Sequence, residues 1–200
     1  MITFHPKRLA GNWFEGYALD YHTLSSTFLG YNAFGHKEFD NVYSEIGKLL
    51  YKLKSKSDRS VLNDIIEATI YFIKQEWGVS DLLDAIIPML PSNVKRKIQP
   101  VIEITRELSD RLQIPLYENA LRKIHHTPEL KDIFDYKKRL ELLQNNFYID
   151  DEALKEKKIL LFDDLFRSGA TLSAVTSTLY EKGKVARVYA LTLTKTRSLR

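Results

Sequence analysis

Two adjacent carboxylates and a turn of small residues stand close together near the C-terminal end of the sequence. Asp163 and Asp164 follow an apolar run at 158–162, and the turn at 167–171, Arg-Ser-Gly-Ala-Thr, precedes a helical pattern. Carboxylates accept hydrogen bonds from sugar hydroxyls or face a divalent cation, whereas hydroxyls and N–H groups at a helix start bind phosphate. Gly169 allows an anion to approach the backbone closely. The pattern therefore predicts a phosphorylated, hydroxyl-bearing ligand bound with Mg²⁺.

Residues 159–171, with the sequence ILLFDDLFRSGAT, resemble the signature of type I phosphoribosyltransferases, in which four apolar residues and two acids precede a loop rich in threonine or serine. In that family the acids bind the ribose hydroxyls of phosphoribosyl pyrophosphate (PRPP), and the loop holds its 5′-phosphate. The resemblance implies that Asp163 and Asp164 bind the ribose and hold Mg²⁺, directly or indirectly. It assigns the 5′-phosphate to five residues: Arg167, Ser168, Gly169, Ala170 and Thr171. The family's loop usually opens with two threonines, and the guanidinium that replaces one of them here still suits phosphate.

Three further stretches resemble the ComF-like branch of the family: GNWFEGYALDYHT, IPMLPSNVKRKIQPV and IHHTPELKDI. In the family fold the loop after the first strand contacts pyrophosphate, which here implies Ser92, Asn93, Lys95 and Arg96. A capped, solvated helix start is the alternative interpretation of these four residues. A hood loop over the substrate is expected at 125–138. Many ComF-like proteins carry a cysteine-rich zinc segment, and this chain has no cysteine, so zinc bound in that way is not expected.

The resemblance implies a phosphoribosyltransferase that binds Mg·PRPP and transfers ribosyl-5-phosphate to an unidentified acceptor with release of pyrophosphate. Asp163 and Asp164 would stabilise the positive character of the ribose, and Lys95 and Arg96 the departing pyrophosphate. No catalytic base can be identified. Two alternatives stay open: a non-catalytic PRPP- or nucleotide-binding accessory protein in competence-type DNA uptake or processing, and a hydrolase with water as the acceptor. The fate of PRPP distinguishes these three functions.

The elements that position these residues follow from the apolar patterns. Short apolar runs predict strands at 84–88, 114–117, 158–162 and 188–193. Stripes at three- and four-residue steps predict helices at 39–53, 61–77, 100–112 and from the turn to 182. Strands separated by helices imply an α/β fold, with a parallel sheet flanked by helices behind an N-terminal aromatic segment and helical pair. We expect a single domain over 1–200, with the N-terminal segment and helices at 1–80 and the PRPP-binding core at 81–200.

The segment 11–35 is rich in glycine and aromatic residues, has no helical period, and predicts loops and short extended pieces. Asp20 and His22 suggest an acid–base pair, but packing and local hydrogen bonds are the simpler interpretation. His125 and His126 are likewise interpreted as exposed loop residues, since paired histidines without carboxylates are weak indications of a metal site. A homodimer through the aromatic segment is expected only by analogy with type I relatives.

Composition excludes several classes of protein. Thirty Lys and Arg against 26 Asp and Glu in 200 residues give a net charge of +4, and the basic runs at 52–59 and 137–139 are typical of solvated faces, so nucleic-acid binding is not favoured. The absence of cysteine excludes disulfides and thiolate metal sites and fits a cytoplasmic protein. The longest apolar run, at 82–90, is far shorter than the ~20 residues that span a bilayer, and no secretory signal is visible.

Overall fold

The computed structural model of the chain describes residues 2–91, 93–94, 96–124, 143, 146–149 and 152–197. The strands within these ranges are β1 (Lys7–Arg8), β2 (Glu15–Tyr21), β3 (Thr23–Tyr31), β4 (Lys37–Tyr43), β5 (Ala85–Pro88), β6 (Leu121–Lys123), β7 (Phe147–Ile149), β8 (Lys158–Phe166) and β9 (Arg187–Lys195). The α-helices are α1 (Glu45–Ser55), α2 (Leu62–Tyr71), α3 (Pro100–Leu112) and α4 (Ala170–Glu181). Short helical turns lie at Arg59–Val61, Phe72–Glu76, Ser80–Leu82 and Glu152–Leu154.

The central sheet has the strand order β1-β2-β9-β8-β5. Its strands are parallel to their neighbours except for β1, which pairs with β2 in the antiparallel sense. Beyond β5, Leu116 forms a single parallel bridge to Ile86, where the sequence predicts a longer strand over 114–117. The α/β class, with a mostly parallel sheet flanked by helices, is therefore confirmed.

Two apolar layers cover the two faces of the sheet. Ile159 and Leu161 of β8 pack in a cluster with α4, whereas Leu160 and Phe162 pack in a second cluster with α1, α2 and α3. All four side chains are fully buried. Because successive side chains of a strand point to opposite faces, a continuous apolar run is what a strand buried between two helical layers requires.

The N-terminal part differs most from its prediction. The segment 11–35 is not irregular, because β2 lies inside the central sheet beside β9 and β3 pairs with β4 in a hairpin. The helix predicted at 39–53 begins only at Glu45, where the Ser44 hydroxyl oxygen accepts a hydrogen bond from the N–H of Gly47 and caps the helix. The two helices therefore do not precede the sheet but follow one of its inner strands.

The β3–β4 hairpin exposes apolar side chains to an unusual degree. Leu29, Tyr31 and Phe34 are 65%, 66% and 85% exposed, and the ring of Phe28 packs against the rings of Tyr31 and Phe39 within the hairpin. Isolated two-stranded hairpins are marginally stable in water. The hairpin is thus the part of the described chain with the least apolar cover.

Elsewhere the predicted elements agree closely with the structure. Helix α3 occupies the predicted range, with Pro100 in its first turn, and the second helical region ends at Gly78, whose φ of +66° suits glycine. Strands β8 and β9 are each longer than predicted. In the described part of the chain, no helix is both long and apolar enough to cross a membrane.

Candidate substrate-binding site

A cavity of about 520 Å³ lies where the parallel strands β5 and β8 end. Two segments that are distant in the sequence form much of its wall: the loop that follows β5, and the end of β8 with the turn at 167–171 that continues it. Its volume lies within the roughly 300–1,000 Å³ of small-molecule sites. In open α/β sheets, ligands bind outside the carboxyl ends of the strands. The fold therefore places the signature residues and the loop after β5 around one cavity.

The two aspartates lie within β8 and not after it. The strand continues to Phe166, and Asp163 stands opposite Thr192 of β9, which also lines the cavity. The sequence suggested a strand end at 162 because the apolar run stops there, but backbone pairing with β9 extends the strand by four residues. Strand β8 is paired on both sides as far as Phe162. Beyond that residue β9 alone pairs with it, and this part of the strand carries both carboxylates.

Asp163 is in an environment that disfavours its charge. Burial, together with the negative charge of Asp164, raises the pKa of Asp163 to about 7. Its carboxylate accepts the backbone N–H of Asp164 at 2.8 Å, which partly offsets this effect. A carboxyl that titrates near neutrality can gain or lose its proton when a cation or a hydroxyl group arrives.

Asp164 has a different partner. The ammonium Nζ of Lys54, from the last turn of α1, lies 2.9 Å from Asp164 Oδ2, and the two side chains are only 23% and 14% exposed. Sequence reasoning missed Lys54, which was placed in a solvated basic run. A signal was present, since Lys54 follows Leu50 by four residues and so shares the buried stripe of the helix.

The turn at 167–171 joins β8 to α4. Gly169 has φ +78°, and a Cβ on it would lie 2.7 Å from Cζ of Phe166, so both conformation and space favour glycine. No side-chain hydrogen bond caps α4 at its N-cap position, although the Ala170 N–H points to Ser168 Oγ at the long distance of 3.5 Å. The N–H groups of the first turn of a helix attract anions. The turn can therefore receive a phosphate group beside the Arg167 guanidinium.

The loop after β5 contributes Asn93 and Arg96 to the cavity wall. The Gln99 side-chain amide donates to the backbone carbonyls of Asn93 and Arg96 at 2.9 and 3.1 Å, which holds the loop in place. The alternative interpretation of a helix starting here is wrong, because α3 begins at Pro100. The other two predicted pyrophosphate residues, Ser92 and Lys95, lie outside the described residues.

The hood predicted at 125–138 and the pair His125 and His126 lie outside the described residues. The strands that flank this region, β6 and β7, pair in the antiparallel sense. They and their surroundings supply Lys123, Leu143 and Phe147 to the cavity wall. The chain before and after the predicted hood thus borders the same cavity.

His22 lies beside the site, at the end of β2. Its Nδ1 is 3.3 Å from Thr194 Oγ1, and the Thr194 hydroxyl is also 3.2 Å from the backbone carbonyl of Asp164. Burial and the Lys54 ammonium hold the pKa of His22 below its ordinary value, so the ring is neutral at neutral pH. Asp20 instead contacts His5 and the N–H of Tyr21. The residues of the suspected acid–base pair therefore have separate partners.

Mg²⁺ fits this arrangement through its donor chemistry. Among the described residues, no group of three or more His, Cys, Asp or Glu side chains could hold a metal ion by itself. Mg²⁺ is ordinarily bound through one or two carboxylates together with substrate phosphates and water, and not by a cage of protein ligands. Asp163 and Asp164, which line the cavity beside the turn at 167–171, meet that requirement.

No protein-family model and no curated protein matches the chain. Among solved structures, an adenine phosphoribosyltransferase matches with 11% identity over 86% of this chain and 86% of its own, at a TM-score of 0.46. An orotate phosphoribosyltransferase from Aeropyrum pernix matches with 17% identity over 84% of this chain and 76% of its own, at a TM-score of 0.43. Neither likeness supports the narrower ComF-like resemblance.

Proposed function

We propose that the protein binds Mg·PRPP and transfers its ribosyl-5-phosphate to an acceptor, releasing pyrophosphate. The observation that carries the proposal is the single cavity lined by Asp163, Asp164, the turn at 167–171 and the loop with Asn93 and Arg96. PRPP requires sites for a 5′-phosphate, two ribose hydroxyls and a pyrophosphate. The turn offers N–H and guanidinium donors for the 5′-phosphate, and the two aspartates offer carboxylate acceptors for the hydroxyls. The loop offers a second cationic donor for the pyrophosphate.

Each group of the chain has its own role in this proposal. The turn at 167–171 binds the 5′-phosphate through backbone N–H groups and Arg167, which fixes the sugar in the cavity. The carboxylates of Asp163 and Asp164 accept hydrogen bonds from the ribose hydroxyls and stabilise the positive charge that develops on the ribose. Arg96 and Asn93 bind the pyrophosphate.

The reaction breaks the bond between ribose C1 and the pyrophosphate oxygen, and the electron pair leaves with pyrophosphate. A nucleophilic atom of the acceptor forms the new bond to C1 and gives up its proton to water or to the departing pyrophosphate. Mg²⁺, when bound, neutralises charge on the leaving group. The chain contributes orientation and electrostatic stabilisation, which are the main sources of rate enhancement when the protein forms no covalent bond itself.

The fate of PRPP tests the proposed function. We expect the purified protein with Mg²⁺ to release pyrophosphate from PRPP only when a suitable acceptor is added, with adenine and orotate as the first members of a nucleobase panel. The measurement is pyrophosphate release with isotope-labelled PRPP, and the Asp163→Asn, Asp164→Asn double variant prepared in the same way controls for contaminating enzymes. Release without an acceptor would indicate a hydrolase instead. Binding of PRPP without any release across the panel would favour the accessory-protein alternative.

The narrower expectations stay predictions within this proposal. They are a cytoplasmic location and a homodimer through the aromatic N-terminal segment, part of which forms the hairpin, whereas a role in competence-type DNA handling belongs to the accessory-protein alternative. The hairpin is the observation that bears on the second of these, since Leu29, Tyr31 and Phe34 are largely exposed.

A further inference from the structure

The side chain of Lys54 reaches the site from an element outside the signature. It belongs to α1, more than a hundred positions before Asp164, and its Nζ lies 2.9 Å from Asp164 Oδ2. Exposed ion pairs form and break with little cost, but this one is largely withdrawn from water, at 23% and 14% exposure. Lys54 also lines the cavity. An ammonium group is thus built into the wall of the proposed substrate site.

The two adjacent carboxylates are consequently not equivalent. Asp164 has a cation from the chain itself in direct contact, whereas among the described residues no ion pair reaches Asp163. Within the described residues, the Asp163 carboxylate accepts one hydrogen bond, from the N–H of Asp164. The chain therefore satisfies one carboxylate of the pair and leaves the other to a ligand.

We propose that Lys54 is a built-in cation of the site, which takes the position at Asp164 that a divalent metal ion would otherwise occupy and leaves Asp163 as the carboxylate that holds the metal ion. The chemistry is that of charge substitution: one ammonium at hydrogen-bond distance neutralises one carboxylate and repels a second cation from it. The inference rests on the proposed function for its meaning, and it narrows the metal assignment from both aspartates to Asp163. By this inference, Lys54 limits the carboxylates that are available to a metal ion to that of Asp163.

Removing the ammonium tests the inference with the metal alone. We expect Lys54→Gln and Lys54→Met to bind Mn²⁺, titrated without PRPP and followed by electron paramagnetic resonance, about tenfold more tightly than the unmodified protein, because the ammonium that occupies Asp164 and repels the ion is then gone. Lys54→Arg keeps the charge and should bind Mn²⁺ as the unmodified protein does. Adding Asp164→Asn to Lys54→Gln should abolish the gain.

Lys48→Met is the matched control, because Lys48 lies on the same helix, is exposed, and its loss changes the net charge equally. Equal Mn²⁺ affinity of Lys54→Gln and Lys48→Met would overturn the inference, and so would a gain that survives Asp164→Asn. The glutamine variant retains a hydrogen-bond donor toward Asp164, and thermal melting verifies that each variant is folded. PRPP is absent from the titration, so failure of the proposed function leaves this result unaffected.

Discussion

Replacing Asp163 and Asp164 together by asparagine is expected to weaken Mg·PRPP binding by at least about a hundredfold, since each charge-assisted hydrogen bond contributes roughly 1.5–3 kcal/mol and two are lost. Asparagine keeps the shape of each side chain but not its charge, so the ribose hydroxyls and Mg²⁺ lose their acceptors. Titration calorimetry with PRPP and Mg²⁺ measures the change in affinity.

The fold should survive this double substitution. At Asp163 the substitution removes a carboxyl whose charge burial disfavours, and at 164 the amide oxygen of asparagine still accepts a hydrogen bond from the partly exposed Lys54 ammonium. We expect a melting temperature within about 5 °C of the unmodified protein. Asp81→Asn with Asp84→Asn is the matched control, because these exposed acids flank the opposite end of β5. Unchanged PRPP affinity in the Asp163, Asp164 variant would refute the site assignment.

The second large effect concerns stability against pH. The pKa of Asp163 is raised to about 7 in the folded chain, chiefly by burial, from an ordinary value of 3.8. The folded state therefore holds a proton that the unfolded chain has released, so the contribution of Asp163 is complete below pH 4 and is lost as the pH rises through 7. Asp163→Asn should remove this decline, which is on the order of a few kcal/mol at most because the side chain is only half-buried.

Denaturant unfolding at several pH values between 4 and 8 measures this difference. Asp58→Asn is the control without a decline, because hydrogen bonds from Ser60 lower the pKa of Asp58 from its ordinary 3.8 and its contribution is lost only below this pH range. Parallel stability curves for the unmodified protein and Asp163→Asn across this range would show that Asp163 titrates normally.

The core of the fold could be predicted because its signals are local. Pro100 and the apolar stripe behind it define α3, and the uninterrupted apolar run of β8 fits only a strand buried on both faces. The same holds for the turn after β8, where Gly169 has the positive φ that its sequence context suggests. Prediction from the sequence succeeded where the conformation of an element depends on its own residues and not on distant contacts.

The N-terminal half was harder to predict because its patterns fit two periodicities. Phe39, Val42 and Tyr43 continue the helical spacing of α1 backwards, yet they lie in β4, since Ser44 caps the helix at Glu45. The seven residues of β2 carry no clear alternation because the strand is inside the sheet, with Ala18 and Leu19 both fully buried. Only pairing with β9, far along the chain, distinguishes it from a loop.

Spacing places Lys54 on the buried side of α1, but its contact with Asp164 depends on tertiary packing. It requires α1 to cross the face of β8 at the level of the carboxylates, and no local pattern states which strand a helix will cover. The signature accordingly indicated the two acids and the turn but not the cation that accompanies them. The structure adds an electrostatic partner to a motif that the sequence had already suggested.

Titration calorimetry of the unmodified protein with PRPP, in the presence and absence of Mg²⁺ and with ribose-5-phosphate as the control ligand, tests the central claim most directly. We predict Mg²⁺-dependent binding of PRPP that is tighter than the binding of ribose-5-phosphate, because the cavity offers a pyrophosphate site in addition to the sugar and phosphate sites. Absence of PRPP binding with Mg²⁺, or an affinity no greater than that for ribose-5-phosphate, would contradict the assignment of this cavity to PRPP.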